Sequence, residues 1–133
     1  MKRTGILILA LLCIGAVILT AGCVNTGSQP NPAGTTWVLA GFGTGSDAAS
    51  LPVTTISLTF GDNGSASGNG GVNGYSVSYT ADPGAGTLTF GPIAATLMAG
   101  PAQFMTDEDR YFTSLANVTG YKLTDGSLVL LDK

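Results

Sequence analysis

Three consecutive acids, Asp107-Glu108-Asp109, are the densest cluster of proton-moving groups in this chain. Two carboxylates that converge on one point can divide general acid and general base duties. Successive residues of a helix diverge, however, and acids ahead of an apolar helical face match the positive end of the helix dipole. The dipole reading is adopted, and no catalytic residue is expected. Asp62-Asn63-Gly64 offers oxygen atoms to a cation, but a calcium loop of the EF-hand type needs further ligands and a bidentate glutamate at fixed spacing. The chain has one glutamate, Glu108, at the wrong spacing. Ser65 to Gly74 is glycine-rich like a phosphate-binding loop, yet it lacks the Gly-Lys-Ser/Thr ending. A bend or bulge in a strand is the expected role of those glycines. Trp37 and the tyrosines could stack on a sugar ring, but aromatic residues alternating along strands ordinarily fill a core or its rim.

What is missing narrows the chemistry further. The 133 residues include no histidine, which removes the commonest general base and the commonest metal ligand. The two cysteines, Cys13 and Cys23, both precede the region that reads as a folded domain, so no disulfide is expected within it. No metal and no cofactor are expected. Two triplets, Asn63-Gly64-Ser65 and Asn117-Val118-Thr119, fit the acceptor pattern for N-glycosylation and fall at turns or element ends. Asn63 and Asn117 are therefore candidate modification sites.

The address is more legible than the chemistry. Lys2 and Arg3 precede an uncharged run from Gly5 to Gly22 that ends Leu19-Thr20-Ala21-Gly22-Cys23. A basic start, an apolar run and small residues before a cysteine form a secretory leader of the lipoprotein type. Residues 1–22 are expected to be removed and Cys23 to carry lipid, which places the rest in the cell envelope outside the cytoplasmic membrane. The alternative is an uncleaved anchor, because the run is close to the ~20 apolar residues that span a bilayer. Residues 23–35, rich in Asn, Thr, Gly, Ser, Gln and Pro, are expected to form a flexible tether. Without the leader, three cations (Arg110, Lys122 and Lys133) face eight acids, a net charge of −5. Three scattered cations cannot supply the basic stripe that nucleic acid requires.

Residues 36–133 read as one small, mainly β domain. Thr36 to Phe42, Val53 to Phe60, Ser65 to Asn69, Tyr75 to Tyr79 and Thr87 to Phe90 alternate at period two or carry strand residues between Gly, Pro and Asn breaks. Gly120 to Thr124 and Ser127 to Asp132 flank Asp125-Gly126, a strong hairpin signal. Leu128-Val129-Leu130-Leu131 is apolar on both faces, so the last strand is expected in the middle of the sheet. One helix is expected, capped by Thr106, with the three acids in its first turn and Tyr111, Phe112 and Leu115 on its docking face.

Several of these residues resemble the META domain family of HslJ-like prokaryotic envelope domains. The resemblance rests on Trp37-Val38-Leu39, on Ser67 to Tyr75, on Ile93 to Pro101 with its Thr96-Leu97-Met98-Ala99, on the acidic helix, and on Leu128-Val129-Leu130. It implies a small curved antiparallel sheet or barrel-like fold with one short helix, and an association with envelope stress. Trp37, Gly71, Asn73, Thr96, Met98 and Gly100 are its motif residues. Relatives commonly carry Gly-Cys-Asn and Met-Ala-Cys, where this chain has Gly71-Val72-Asn73 and Met98-Ala99-Gly100. The resemblance implies that the two triplets lie together, with Gly71 near Gly100. The function expected is a membrane-anchored, non-catalytic module that protects the envelope or binds a protein or small-molecule partner. The alternative is a small-ligand or glycan-binding β-barrel.

Overall fold

The computed structural model describes residues 5–11, 28–44, 51–124 and 126–132. Among these described residues, nine strands and one helix run in the order β1 (Gly5–Leu11), β2 (Thr36–Thr44), β3 (Ser57–Phe60), β4 (Ser65–Asn69), β5 (Gly74–Asp82), β6 (Thr87–Phe90), β7 (Ala94–Ala95), α1 (Ala102–Asn117), β8 (Val118–Thr124) and β9 (Ser127–Asp132). Every pairing is antiparallel. The sheet runs β4-β3-β2-β1-β9-β8-β6-β5 and closes by pairing β4 with β5, while β7 sits beside β5 as a short flap. The result is the curved, barrel-like sheet with one helix that the sequence pattern and the family resemblance imply. The β6 to β8 joint is thin, with one register pair, Thr87 with Gly120.

Period-two patterning fills the interior. Ile56, Leu58 and Phe60 are fully buried, as are Leu88, Leu128 and Leu130, with Trp37, Tyr75, Val77 and Tyr121 beside them. Strand β2 departs from strict alternation: Ile8 pairs with Gly41 and Leu9 with Leu39, so Ala40 is an extra residue. A bulge of this kind flips the facing of the residues beyond it, which lets Leu39 and Phe42 both reach the core. Helix α1 packs Tyr111 and Leu115 inward, with Tyr111 and Phe112 edge-on or tilted against Tyr75 and each other. Strand β9 lies between β8 and β1, so its apolar run is central, as expected.

Three local expectations change. The Val53 to Phe60 strand begins only at Ser57, and the 51–55 segment instead lies against the helix, where the Val53 N–H donates to Asp107 Oδ2 at 2.7 Å. The 29–35 stretch, expected to be free tether, is docked. Its Gln29 N–H donates to the Pro83 carbonyl, Gln29 Oε1 accepts from the Leu123 N–H, the Pro30 carbonyl accepts from Tyr121 Oη, and the Gly34 N–H donates to Phe60 O. Polar, proline-rich composition resembles a linker, but extended backbone also makes a strap when its N–H and C=O groups find partners. Finally, Gly5–Leu11, part of the expected leader, forms strand β1. A short run of Ile and Leu suits a buried strand as well as a leader, and periodicity alone does not separate them. Cys13, Cys23 and residues 12–27 lie outside the described residues, and no helix among the described residues is long and apolar enough to cross a membrane.

Candidate functional site

Five of the motif residues, Gly71, Asn73, Thr96, Met98 and Gly100, converge at one place beneath the first half of α1, while Trp37 lies apart from them in β2. The helix starts at Ala102, a turn earlier than expected, with Pro101 at its N-cap and no side-chain cap. The Pro101 carbonyl takes the N–H groups of Phe104 and Met105, and Thr106 donates its hydroxyl to the Ala102 carbonyl inside the helix instead of capping it. The three acids therefore occupy the second turn, not the first, and the dipole reading does not hold for them. They diverge, as helical neighbours must. Asp107 holds the 51–55 segment, Asp109 is exposed, and Glu108 is turned inward with 3% of its surface exposed.

Glu108 meets the glycine-rich turn between β4 and β5. Its Oε2 accepts the backbone N–H groups of Val72 and Asn73 at 2.9 and 2.6 Å, and its Oε1 accepts Asn73 Nδ2 at 2.6 Å. Adjacent N–H groups presented by a turn form an anion-binding nest. Here the chain's own carboxylate fills it, which gives the phosphate-loop resemblance a structural answer. The turn comes this close because it has no side chains to hold it off: a Cβ on Gly70 would stand 2.7 Å from Phe112 Cζ and 3.0 Å from Glu108 Cγ. Burial pushes the Glu108 carboxyl up, but the hydrogen bonds from the Asn73 side chain and from the Asn73 and Val72 N–H groups outweigh it. The net effect holds its pKa below the ordinary carboxylate value.

Asn73, 3% exposed, carries the arrangement across to the β7 side. Its Oδ1 accepts the Thr96 hydroxyl at 2.9 Å and the Met98 N–H at 2.6 Å, and its Nδ2 also donates to the Met98 carbonyl at 3.2 Å. This explains why a threonine and a methionine two apart read as a motif: the Thr96 hydroxyl and the Met98 backbone clasp one amide. Below it, Tyr75 Oη donates to the Ser57 carbonyl at 2.8 Å, so the 2.6 Å contact between the two phenols is Tyr111 donating to Tyr75. Burial drives both phenol pKa values well above the ordinary range, and both stay protonated.

The clasp holds the two cysteine-free triplets together. The residue facing Gly100 is Val72, the middle of its triplet, where Gly-Cys-Asn carries the cysteine. A Cβ on Gly100 would lie 3.4 Å from Val72 Cβ, whereas one on Gly71 would meet Thr54 Cγ2 and the Phe104 carbonyl. The expectation of Gly71 against Gly100 is one position early, although the aligned triplets themselves point to Val72.

Beside the clasp lies a groove of about 420 Å³, lined by Thr96, Leu97, Met98, Met105, Asp109 and Phe112 among others. Leu97 is 99% exposed and Met98 56%. The aromatic residues considered for sugar stacking are elsewhere and largely interior. Trp37 is 2% exposed with its Nε1 donating to Thr35 Oγ1, and Tyr75, Tyr111 and Tyr121 are buried. Asn63 and Asn117 are both exposed, and their side chains bond locally, Asn63 to Ser65 and Asn117 to the Thr113 carbonyl. Among the described residues no group of three or more acids or cysteines is arranged to hold a metal ion.

The META domain family model matches residues 30–133, a span that takes in the strap from Pro30 onward, the clasp and α1. A solution NMR structure of a protein from Burkholderia xenovorans is similar, with a TM-score of 0.51 and 23% identity over 90% of this chain and 97% of that one. At that identity the likeness speaks for the fold. No curated protein matches the chain.

Proposed function

The chain belongs to the META domain family, and from that premise we propose that it is a membrane-tethered envelope module that binds or protects and does no chemistry. The observation that carries the non-catalytic reading is the state of Glu108. A catalytic carboxylate needs a free lone pair facing a cleft and a pKa moved toward the working pH. Glu108 has both oxygens occupied by its own chain and a pKa moved the other way. The anchoring reading rests on Ala21-Gly22-Cys23 after the apolar run. Cys23→Ser should release the protein from membranes. An intact mass showing Met1 still present and Cys23 unmodified would reject the lipid anchor.

A second reading, a binder of small apolar ligands, is favoured by the groove beside Leu97 and Met98. Unbranched methionine side chains adapt to varied shapes, and a fully exposed leucine at a groove rim is the kind of surface that binding covers. The interior position of Trp37 and of Tyr75, Tyr111 and Tyr121 turns this reading away from glycans. Quenching or chemical-shift changes confined to residues 95–112 on titration with an apolar probe such as anilinonaphthalene sulfonate would support it. Shifts elsewhere would count against it.

A further inference from the structure

The seam between β2 and β9 is completed by a segment the sequence marks for removal. Strand β1 pairs with β2 from Gly5 opposite Thr44 to Leu11 opposite Trp37, and with β9 from Ile6 opposite Leu131 to Ala10 opposite Ser127. Both pairings are antiparallel, so β2 and β9 run parallel to each other with one strand between them. Strands are spaced ~4.8 Å apart, so without β1 the two edges would face each other across ~10 Å. Each would present a row of unpaired N–H and C=O groups.

The width of that gap is set by parts of the chain that lie beyond Cys23. The 29–34 strap is bonded at one end to β8, through Tyr121 Oη to the Pro30 carbonyl and the Leu123 N–H to Gln29 Oε1. At its other end the Gly34 N–H bonds to the Phe60 carbonyl of β3. These bonds hold the flanks of the seam at a fixed separation and oppose the shift that direct β2 to β9 pairing would need. A groove of about 530 Å³ lined by Pro30, Thr35, Trp37, Leu123 and Gly126 opens at the end of the seam where Leu11 pairs with Trp37. A strand seated in the seam thus has room to continue past it.

We propose that the processed domain is a strand acceptor: the β2/β9 seam binds an extended, apolar segment of another polypeptide, antiparallel to both edges. This rests on the leader being cut before Cys23. Main-chain bonds on both sides would supply affinity with little sequence preference, and specificity would come from alternate side chains. Residues directly opposite in a sheet share a face, so the positions opposite Leu128 and Leu130, both buried, belong to the core face. The incoming segment therefore needs apolar residues at two positions two apart, as the leader has in Leu7 and Leu9.

The test uses the processed protein in detergent and a synthetic peptide with the Gly5–Leu11 sequence flanked by lysines for solubility. Trp37, the single tryptophan, reports binding by fluorescence, and amide exchange reports the edges. The expected result is saturable binding with new protection at residues 37–44 and 127–131. A peptide with proline in place of the Ile8 equivalent, which lacks an N–H, should bind at least about tenfold more weakly. Protection of both edges before any peptide is added would show direct closure and overturn the proposal. A peptide-free dimer would assign the seam to a second copy and also overturn it. Intact mass separates this from the processing reading. If the purified chain retains its first 22 residues, that reading fails alone, and a protease site inserted after Gly22 allows the same seam measurements.

Discussion

The clasp and the seam solve the same problem with different materials. At the clasp, the polar groups of a buried turn are satisfied by Glu108, Asn73, Thr96 and Met98, all within the META-matched region. At the seam, two strand edges are satisfied by β1, which lies outside that region. Buried backbone donors and acceptors must be paired somewhere. The clasp therefore closes within the family-matched domain, whereas the seam is closed by a strand from outside it. Structure held by side chains within the family-matched domain is a poor place to look for a partner, and an edge held by a strand from outside that domain is a better one.

The sharpest way to break the clasp is Glu108→Gln. The new amide could accept the Val72 and Asn73 N–H groups with its oxygen, but its NH2 would then face the Asn73 Nδ2 donor. Asn73 cannot turn over without losing Thr96 and Met98. Leaving buried donors opposed should cost about 3 kcal/mol, measured by urea unfolding. The same variant tests the pH argument. Because the folded Glu108 pKa lies below its ordinary value of 4.5, the carboxylate's contribution is fully present above that value and declines as pH falls through the folded pKa. The wild-type midpoint should fall over that acid window more steeply than that of Glu108→Gln. Equal slopes would mean that other carboxylates govern acid unfolding.

A second prediction reinforces the clasp instead of breaking it. Val72→Cys with Gly100→Cys should form a bridge on air oxidation, since the Cβ separation of 3.4 Å is just under the usual range of about 3.5 to 4.5 Å. The bridge should raise stability by about 1 to 3 kcal/mol, with part of the gain offset by strain, and dithiothreitol should reverse it. Dithiothreitol should leave the wild-type domain's midpoint unchanged, because no cysteine lies within residues 30–133. A double variant that stays reduced would contradict the placement of Val72 against Gly100.

Much of the sheet is legible in the sequence because alternation and turn residues are local signals. Ser65–Asn69, Thr87–Phe90 and Ser127–Asp132 fall where their patterns put them, and Tyr111 and Leu115 face inward as their spacing implies. The clasp is legible only as a family motif. Nothing local distinguishes Glu108 from its acidic neighbours, because its burial is decided by Gly70 and Asn73, 35 or more residues away. The helix start is obscured for a related reason: Thr106 is a good cap by type, but the Pro101 carbonyl has already begun the helix. The strap is hidden because hydrogen bonding through backbone N–H and C=O groups, as at Gln29, Pro30 and Gly34, leaves little trace in residue type.

A third prediction moves from the clasp to a turn that lacks such support. Gly126 has φ of +83° at the tip of the β8–β9 hairpin, and nothing within 4 Å would meet an added Cβ. The conformation alone therefore decides the outcome. Gly126→Val should cost about 1 to 2 kcal/mol, because a β-branched residue resists positive φ, while Gly126→Asn should cost less. If valine and asparagine cost the same, side-chain bulk and not backbone strain would be responsible.

The smallest expected effect on stability is at Leu97, which sharpens the contrast between holding and binding. The side chain is 99% exposed, although its neighbours Thr96 and Met98 are bound to Asn73. Leu97→Ser removes apolar surface that the fold does not bury, so the unfolding midpoint should move by no more than about 0.5 kcal/mol. If the groove is a binding surface, the same change should weaken apolar-probe binding there by about tenfold, since losing a buried leucine contact is worth more than about 1.4 kcal/mol. Thr96→Val should do the reverse, lowering stability through the lost bond to Asn73 while Leu97 remains available at the rim. A Leu97→Ser variant that loses stability without losing probe binding would place Leu97 with the clasp and leave the seam as the better candidate for recognition.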